Sequence, residues 1–232
     1  MDRQYLSFGG GVNSTALLLL LTERKEEFEA VFVDHGGDYP ETYEYVKLLQ
    51  DKGYPITVVK GVINGDDLYD YCLKYRILPC RRFRWCTMKF KVNVVHSYYE
   101  KPCFEMIGLD AGESNRAKNR RTTKGIEVDY PLIRWNLDRN DCLEVIKKHG
   151  LPAPRKSGCY FCPFARGSDF RRMRDQYPEL WCKTLKMEQL CNERLGEAGK
   201  KPTYLKDKPL SAVVQEGQKD LFGERKPCRC WL

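Results

Sequence analysis

The stretch LSFGGGVNSTALLLLL, residues 6–21, joins a short apolar lead to a run of leucines through three consecutive glycines. Residues 5–8 read as a β-strand, and residues 14–22 are good helix formers. Between them Gly9, Gly10 and Gly11 let the main chain turn through positive φ and let an anion approach it closely. A helix that begins at such a turn presents unpaired N–H groups and a partial positive charge. The stretch therefore has the makings of a phosphate cradle, while a tight turn capped by Asn13 or Ser14 fits the same residues. Its spacing matches neither the dinucleotide-binding fingerprint nor the Walker loop, because no Gly-Lys-Ser/Thr closes it.

Outward from this stretch, strands and helices alternate. Residues 30–34 and 56–59 are β-branched and aromatic runs, a helix opens near Pro40 and Glu41, and a further strand at 103–107 follows a helix around 91–99. That alternation predicts an α/β fold: an open, mostly parallel twisted sheet with helices on both faces, plus a helical, cysteine-containing C-terminal part. Ligands of such sheets gather beyond the carboxyl ends of the strands. The expected organisation is a nucleotide-binding α/β domain over residues 1–150, a Cys-x-x-Cys loop and helical subdomain over 151–195, and a loosely packed polar extension over 196–232. Glu23, Arg24 and Lys25 interrupt the leucine run before it reaches the length of a membrane span, and the opening residues lack a signal-peptide pattern. A cytoplasmic protein with no membrane partner is expected.

The chain carries 40 lysines and arginines against 32 acidic residues, a net charge of +8 that suits an anionic partner. Arginines cluster at Arg81, Arg82 and Arg84, at Arg116, Arg120 and Arg121, and at Arg171, Arg172 and Arg174. Each run alone reads as a solvated face; three near other motifs point to phosphate. Eleven cysteines, an odd number, argue against a paired disulfide framework in a reducing compartment. Cys159 and Cys162 form a Cys-x-x-Cys pair that can meet one metal, and a redox pair fits too. Adding Cys80 and Cys86, from CRRFRWC, makes four soft ligands, suited to a [4Fe–4S] cluster or to zinc. Cys72, Cys103, Cys142, Cys182 and Cys191 read as core or helix residues. His35 lies in a ligand loop as a contact or a hydrogen-bonding residue, and His96 and His149 read as structural.

Five blocks together carry a family resemblance. FGGGVNST (8–15) resembles the PP-loop of the adenine nucleotide α-hydrolase superfamily. FVDHGGDYPETYEYV (32–46), RWCTMKFK (84–91), GLDAGESNRA (108–117) and DYPLIRWNLD (129–138) resemble, in the same order, blocks of its phosphoadenosine phosphosulfate (PAPS) reductase-like branch. The resemblance implies that Ser7, Gly9, Gly10, Gly11, Asn13, Ser14 and Thr15 hold the phosphates of an adenine nucleotide, either ATP or PAPS/APS. It implies that Asp34 meets the nucleoside or a Mg2+ ion, and that Arg116 and Lys91 add positive charge. It also implies that Cys86, Cys159 and Cys162 bind a metal centre, with Cys80 standing in for the adjacent cysteine that Trp85 replaces.

Two positions depart from the family pattern: Asn13 replaces the loop aspartate and Gly9 the first serine. The Cys228-Arg229-Cys230 segment lacks the Glu, Gly and His that flank the reductases' C-terminal nucleophile, and Cys230 is the thiol placed to act there. Three functions remain open at this stage: an ATP-dependent enzyme that adenylates an acceptor for sulfur transfer, a thiol-dependent APS or PAPS reductase, and a non-catalytic binding module stapled by metal. The partners that go with them are tRNA or DNA as an anionic substrate and a thiol or sulfur-donor protein.

Overall fold

The apolar runs that become β-strands in the centre of the sheet are buried on both faces, whereas the run at 56–59 forms an edge strand with Val58 exposed. The computed structural model describes residues 3–118 and 123–215, so Arg120, Arg121, Cys228 and Cys230 lie outside the described residues. Strands β1 (Arg3–Phe8), β2 (Glu29–Asp34), β3 (Ile56–Lys60), β4 (Cys103–Ile107) and β5 (Ile126–Asp129) form one sheet in the order β3-β2-β1-β4-β5. Every neighbouring pair is parallel. The chain winds outward from β1 first to one side, through β2 and β3, and then to the other, through β4 and β5. A crevice is thereby open beyond the carboxyl ends of β1 and β4.

Helix α1 (Val12–Glu23) follows β1 directly, and Leu17, Leu18, Leu19 and Leu21 in it are fully buried. A helix apolar on nearly every side belongs inside the fold, and α1 is enclosed with Leu6, Phe8, Phe32, Val46 and Leu49. Helix α2 (Pro40–Asp51) starts at a proline in its first turn. Helices α3 (Leu68–Lys74), α4 (Trp85–Thr87) and α5 (Asn93–Tyr98) come next, with a π-helical turn, Met88–Val92, between the last two. Short helices α6 (Ser114–Ala117) and α7 (Pro131–Arg134) lead to α8 (Arg139–Lys148), which closes over α1. Asp138 caps α8, accepting from the N–H groups of Asn140 and Asp141.

The remaining helices, α9 (Gly167–Gln176), α10 (Pro178–Glu197) and α11 (Leu210–Gln215), build a second core around Phe161, Phe170, Met173, Met187 and Cys191. That core also takes Tyr39, Leu68, Cys72 and Phe90 from the first 150 residues, so the helical part is packed into the α/β part. The loose extension expected from residue 196 is not loose as far as Gln215. Leu205, Leu210, Val213 and Val214 are buried, and the Glu188 carboxylate accepts from the N–H groups of Leu205 and Leu210. Strand β5 is the one described strand the sequence reading lacks; its four residues, IEVD, are half polar, and it forms a sheet edge.

Gly108, just past β4, fixes the start of α1. A Cβ there would lie 2.8 Å from the Ser14 nitrogen and 2.9 Å from the Ser14 Cα, both main-chain atoms with little freedom to move. Gly108→Ala should therefore lower stability by about 1–3 kcal/mol, the usual cost of overpacking, read as a drop in the urea midpoint without a change in slope.

Candidate functional site

The glycine loop has the geometry of an anion cradle. Gly10 sits at φ +66, a conformation L side chains rarely adopt. The Ser14 hydroxyl oxygen accepts from the Gly11 N–H at 3.2 Å and, at a longer 3.4 Å, from the Gly9 N–H, and it donates to the Gly11 carbonyl at 3.1 Å. Two main-chain donors thus converge on one oxygen at the N-terminus of a 12-residue helix. A Cβ on Gly11 would lie 2.9 Å from the Ser157 hydroxyl, so the segment carrying Arg155, Lys156 and Ser157 lies against the loop. Thr15 is fully buried beneath it. Ser7 points elsewhere: its hydroxyl donates to Glu105 at 2.5 Å and meets the Tyr99 hydroxyl at 3.1 Å, while His96 contacts the other Glu105 oxygen at 3.2 Å.

Asn13 faces the crevice between β1 and β4. Its amide nitrogen donates to Asp110 at 2.8 Å and to Glu113 at 3.0 Å, and its oxygen lies 3.4 Å from the Arg139 guanidinium. Arg116 pairs with the other Glu113 oxygen, so it reaches the loop through Glu113 and Asn13. Burial pushes the Glu113 carboxyl above its ordinary range, against the pull of Arg116. The departure from the family's aspartate has a local reason: a carboxylate at position 13 would face two others, whereas the amide supplies a donor to each.

Asp34, at the end of β2, accepts from the Gly36 N–H at 3.0 Å, the Tyr43 hydroxyl at 3.0 Å and Lys60 at 2.5 Å. Burial opposes its charge, but Lys60, Gly36 and Tyr43 outweigh that and hold its pKa below the usual carboxylate value. The loop that follows is tied to the Cys-x-x-Cys loop. Asp38 bridges to Cys159, and the Tyr160 N–H donates to the Gly37 carbonyl at 2.9 Å.

Cys80, Cys86, Cys159 and Cys162 line one pocket, partly open to solvent, with Lys91, Arg84, Pro163 and Phe164. Lys91, expected at phosphate, stands among these thiols. Burial opposes its charge, yet Asp38 and then Cys159, Cys162 and Cys86 raise its pKa. Burial pushes the thiols of Cys86, Cys159 and Cys162 upward, so each keeps its proton at neutral pH until a cation enters. A single zinc with Zn–S bonds of about 2.3 Å would draw sulfurs to about 3.8 Å of one another. Among the described residues, the one set of three ligand types within 4.8 Å is instead His35, Asp38 and Cys159. This mixed set does not present a metal-ready imidazole. The Gly37 N–H donates to Nδ1 of His35 at 3.0 Å, and burial lowers the ring's pKa to about 4. The neutral ring therefore carries its proton on Nε2, which faces Asp38 at 3.3 Å and the Cys159 sulfur at 3.6 Å. His35 is a donor to the thiol rather than a ligand.

The structure thus brings Gly9, Gly10, Gly11, Asn13, Ser14 and Arg116 to one crevice and the four cysteines with Lys91 to an adjoining pocket. Ser157 and Cys159, two positions apart, join the two. Asp110, Glu113, Arg139, Asp38 and Ser157 were not singled out from the sequence. Asp110 and Glu113 lie inside the GLDAGES block, and Ser157 stands two residues before Cys159 of the Cys-x-x-Cys motif, which were the available signals.

The phosphoadenosine phosphosulfate reductase domain family matches residues 3–154. Among curated proteins, uncharacterized protein MJ0973 of Methanocaldococcus jannaschii is 28% identical over 194 residues, covering 76% of this chain and 45% of that protein. Uncharacterized protein MJ0066 of the same organism is 23% identical over 195 residues, covering 76% and 39%. This chain therefore spans less than half the length of these relatives. Among solved structures, a PAPS reductase from Candida auris in complex with phosphate is 18% identical with a TM-score of 0.45, over 66% of this chain and 76% of that one. A predicted subunit of tRNA methyltransferase from Methanocaldococcus jannaschii is 11% identical with a TM-score of 0.37, over 87% and 91%. No described helix is long and apolar enough to cross a membrane.

Asn13→Asp removes the donor to Asp110 and Glu113 and should cost about 1–3 kcal/mol. Millimolar Mg2+ should return part of that loss, because three carboxylates suit a hard cation; a variant indifferent to Mg2+ in thermal unfolding would contradict this reading. In metal-free protein, stability should fall as pH drops from 6.5 to about 4, since the unfolded chain protonates His35 at its ordinary value and the folded chain only near 4. The loss from this residue is about 3 kcal/mol, and His35→Gln should flatten the denaturation profile by that amount over the same window.

Proposed function

Because this chain belongs to the phosphoadenosine phosphosulfate reductase domain family, we propose that it binds an adenine nucleotide, ATP before PAPS or APS, and activates an acceptor by α-phosphate chemistry for sulfur transfer. The observation that carries this reading is the convergence of the Gly9 and Gly11 N–H groups on one oxygen at the start of α1. In the nucleotide complex a phosphate oxygen takes the place of the Ser14 hydroxyl as their acceptor. The helix end contributes about 0.3–1 kcal/mol, and each charged hydrogen bond about 1.5–3. Further positive charge comes from Arg155 and Lys156 on the segment against the loop. Asp34 meets the nucleoside or a Mg2+ ion, and Arg116 with Arg139 balances Asp110 and Glu113.

In the proposed reaction an acceptor oxygen attacks the α-phosphorus, pyrophosphate leaves, and a sulfur nucleophile then displaces AMP. This chain's part is to hold the triphosphate in line and stabilise the charge on the leaving pyrophosphate. Cys80, Cys86, Cys159 and Cys162 would hold the metal centre, with Lys91 balancing the thiolates. A [4Fe–4S] cluster there supplies a site for sulfur or electrons, and zinc would be structural. The two-residue spacing of Ser157 and Cys159 also favours a second reading, reduction of APS or PAPS, since it sets the thiol pocket beside the nucleotide loop. Cys230 would be the nucleophile in that case.

Two incubations separate the readings: ATP with tRNA as the acceptor and release of pyrophosphate, and PAPS with thioredoxin and release of sulfite. Pyrophosphate without sulfite is expected; sulfite alone would replace the first reading with the second. Gly11 has ordinary extended dihedrals and would meet only the Ser157 side chain. Gly11→Val should therefore fold while losing nucleotide-dependent thermal stabilisation, which for wild type at a hundred times Kd is about 2.7 kcal/mol. Cys162→Ser should lower metal content. Anaerobically purified wild type should carry iron and sulfide, and protein with neither iron nor zinc would remove the metal centre from the account.

A further inference from the structure

Phe83 is the most exposed large apolar side chain among the described residues, at 70%, and arginines flank it at positions 81, 82 and 84. A lone exposed phenylalanine needs no explanation, but this one belongs to an ordered arrangement. The Arg82 guanidinium lies 5.4 Å from the Phe83 ring centre, and Arg81 and Arg84 lie 6.0 and 5.6 Å from the ring of Phe164. Arg84 is held in the left-handed region at φ +46, which marks a fixed bend just after the phenylalanine. Arg81 donates to the Pro163 carbonyl at 2.8 Å; Lys206 reaches the same carbonyl at 3.4 Å and that of Ala165 at 2.7 Å. Among the described residues no carboxylate lies within ion-pair distance of Arg81, Arg82 or Lys206. Burial and then the charge of Arg81 depress the Lys206 pKa, against Asp207 and Asp169 nearby. Positive charge is therefore crowded along this edge, with Arg82 beside the exposed Phe83 ring and Arg81, Arg84 and Lys206 about Phe164 and its neighbours. Cys80, Arg84, Pro163 and Phe164 of the same region line the cysteine pocket, so this patch is its rim.

We propose that this rim binds a single-stranded polynucleotide, with an unpaired base stacked on Phe83 and backbone phosphates on Arg81, Arg82 and Lys206. The acceptor activated by the enzyme is then a nucleic-acid base presented at the mouth of the cysteine pocket. Stacking on an exposed aromatic requires a base free of its partner, which a duplex does not offer. A basic surface alone would fit any polyanion; the ring among the arginines selects a chain of charged groups that also carries flat aromatic faces. The binding surface stands independently of the nucleotide chemistry, whereas the identity of the acceptor rests on the function proposed above.

Fluorescence anisotropy with labelled single strands of RNA and DNA of about a dozen nucleotides, in the range of one binding site, and with the matching duplex, tests the surface on the intact protein. The single strands should bind at least about tenfold more tightly than the duplex. Phe83→Ala should weaken binding about tenfold with the salt dependence unchanged, and Phe83→Tyr should restore it. Arg82→Ala should reduce the slope of log K against log salt by about 0.7, one phosphate contact. Equal affinity for the duplex, no loss in Phe83→Ala, or equal competition by a poly-glutamate peptide would overturn the proposal, the last pointing to an acidic protein instead. Thermal stabilisation by ATP is measured on the same variants and should be unchanged. If ATP fails to stabilise any of them while single strands still bind, the surface stands and the nucleotide reading falls.

Discussion

The N-terminus of α1 must find acceptors for its N–H groups at the place where the two halves of the sheet part. Buried helix ends rarely leave such groups unmet, and the local sequence meets this demand in a way that a ligand can take over. Ser14 turns its hydroxyl back to the amides of Gly9 and Gly11. Gly108 lets the helix start lie against the end of β4, bringing Asn13 to Asp110 and Glu113. Gly11 gives room for Ser157 and so draws the Cys-x-x-Cys loop toward the same crevice. Three glycines and one hydroxyl thus determine where the acidic pair and the cysteine pocket stand.

The cysteine pocket obeys a different balance. Burial disfavours thiolates, and Lys91 favours them without prevailing, so the thiols stay protonated until a metal supplies more charge. His35 adds a fixed N–H toward Cys159, its tautomer set by the Gly37 amide. Since His35 follows Asp34 directly, the end of β2 carries one residue that ends in the Lys60 and Tyr43 network and a second that faces a thiol. The two parts of the site therefore share a single strand end, and the Asp38 to Cys159 bridge keeps them together.

The sequence was most legible where a local rule carried the information. Alternating apolar runs located β1 to β4 within a few residues, and the three glycines placed the loop between β1 and α1. Strand β5 escaped because IEVD is short and half polar, as an edge strand can be. The segment after residue 196 read as loose because its buried residues, Leu205, Leu210, Val213 and Val214, are scattered among lysines and prolines. Side-chain partners were the least legible. Ser7 stands two residues before the glycine loop yet turns to Glu105, and Lys91 left the phosphates for the thiols; both outcomes depend on residues far away in the chain. Asn13 could be seen as a substitution, but the reason for it needed Asp110 and Glu113 in space.

The central claim is that nucleotide phosphates sit on the main chain of the glycine loop, and amide hydrogen exchange of the whole protein with and without ATP tests it most directly. The account predicts that residues 9–14 gain protection when ATP is added, together with residues 155–157 that lie against them, while β5 at the far edge of the sheet is unchanged. Protection that appeared elsewhere and left residues 9–14 exchanging at their nucleotide-free rate would contradict it.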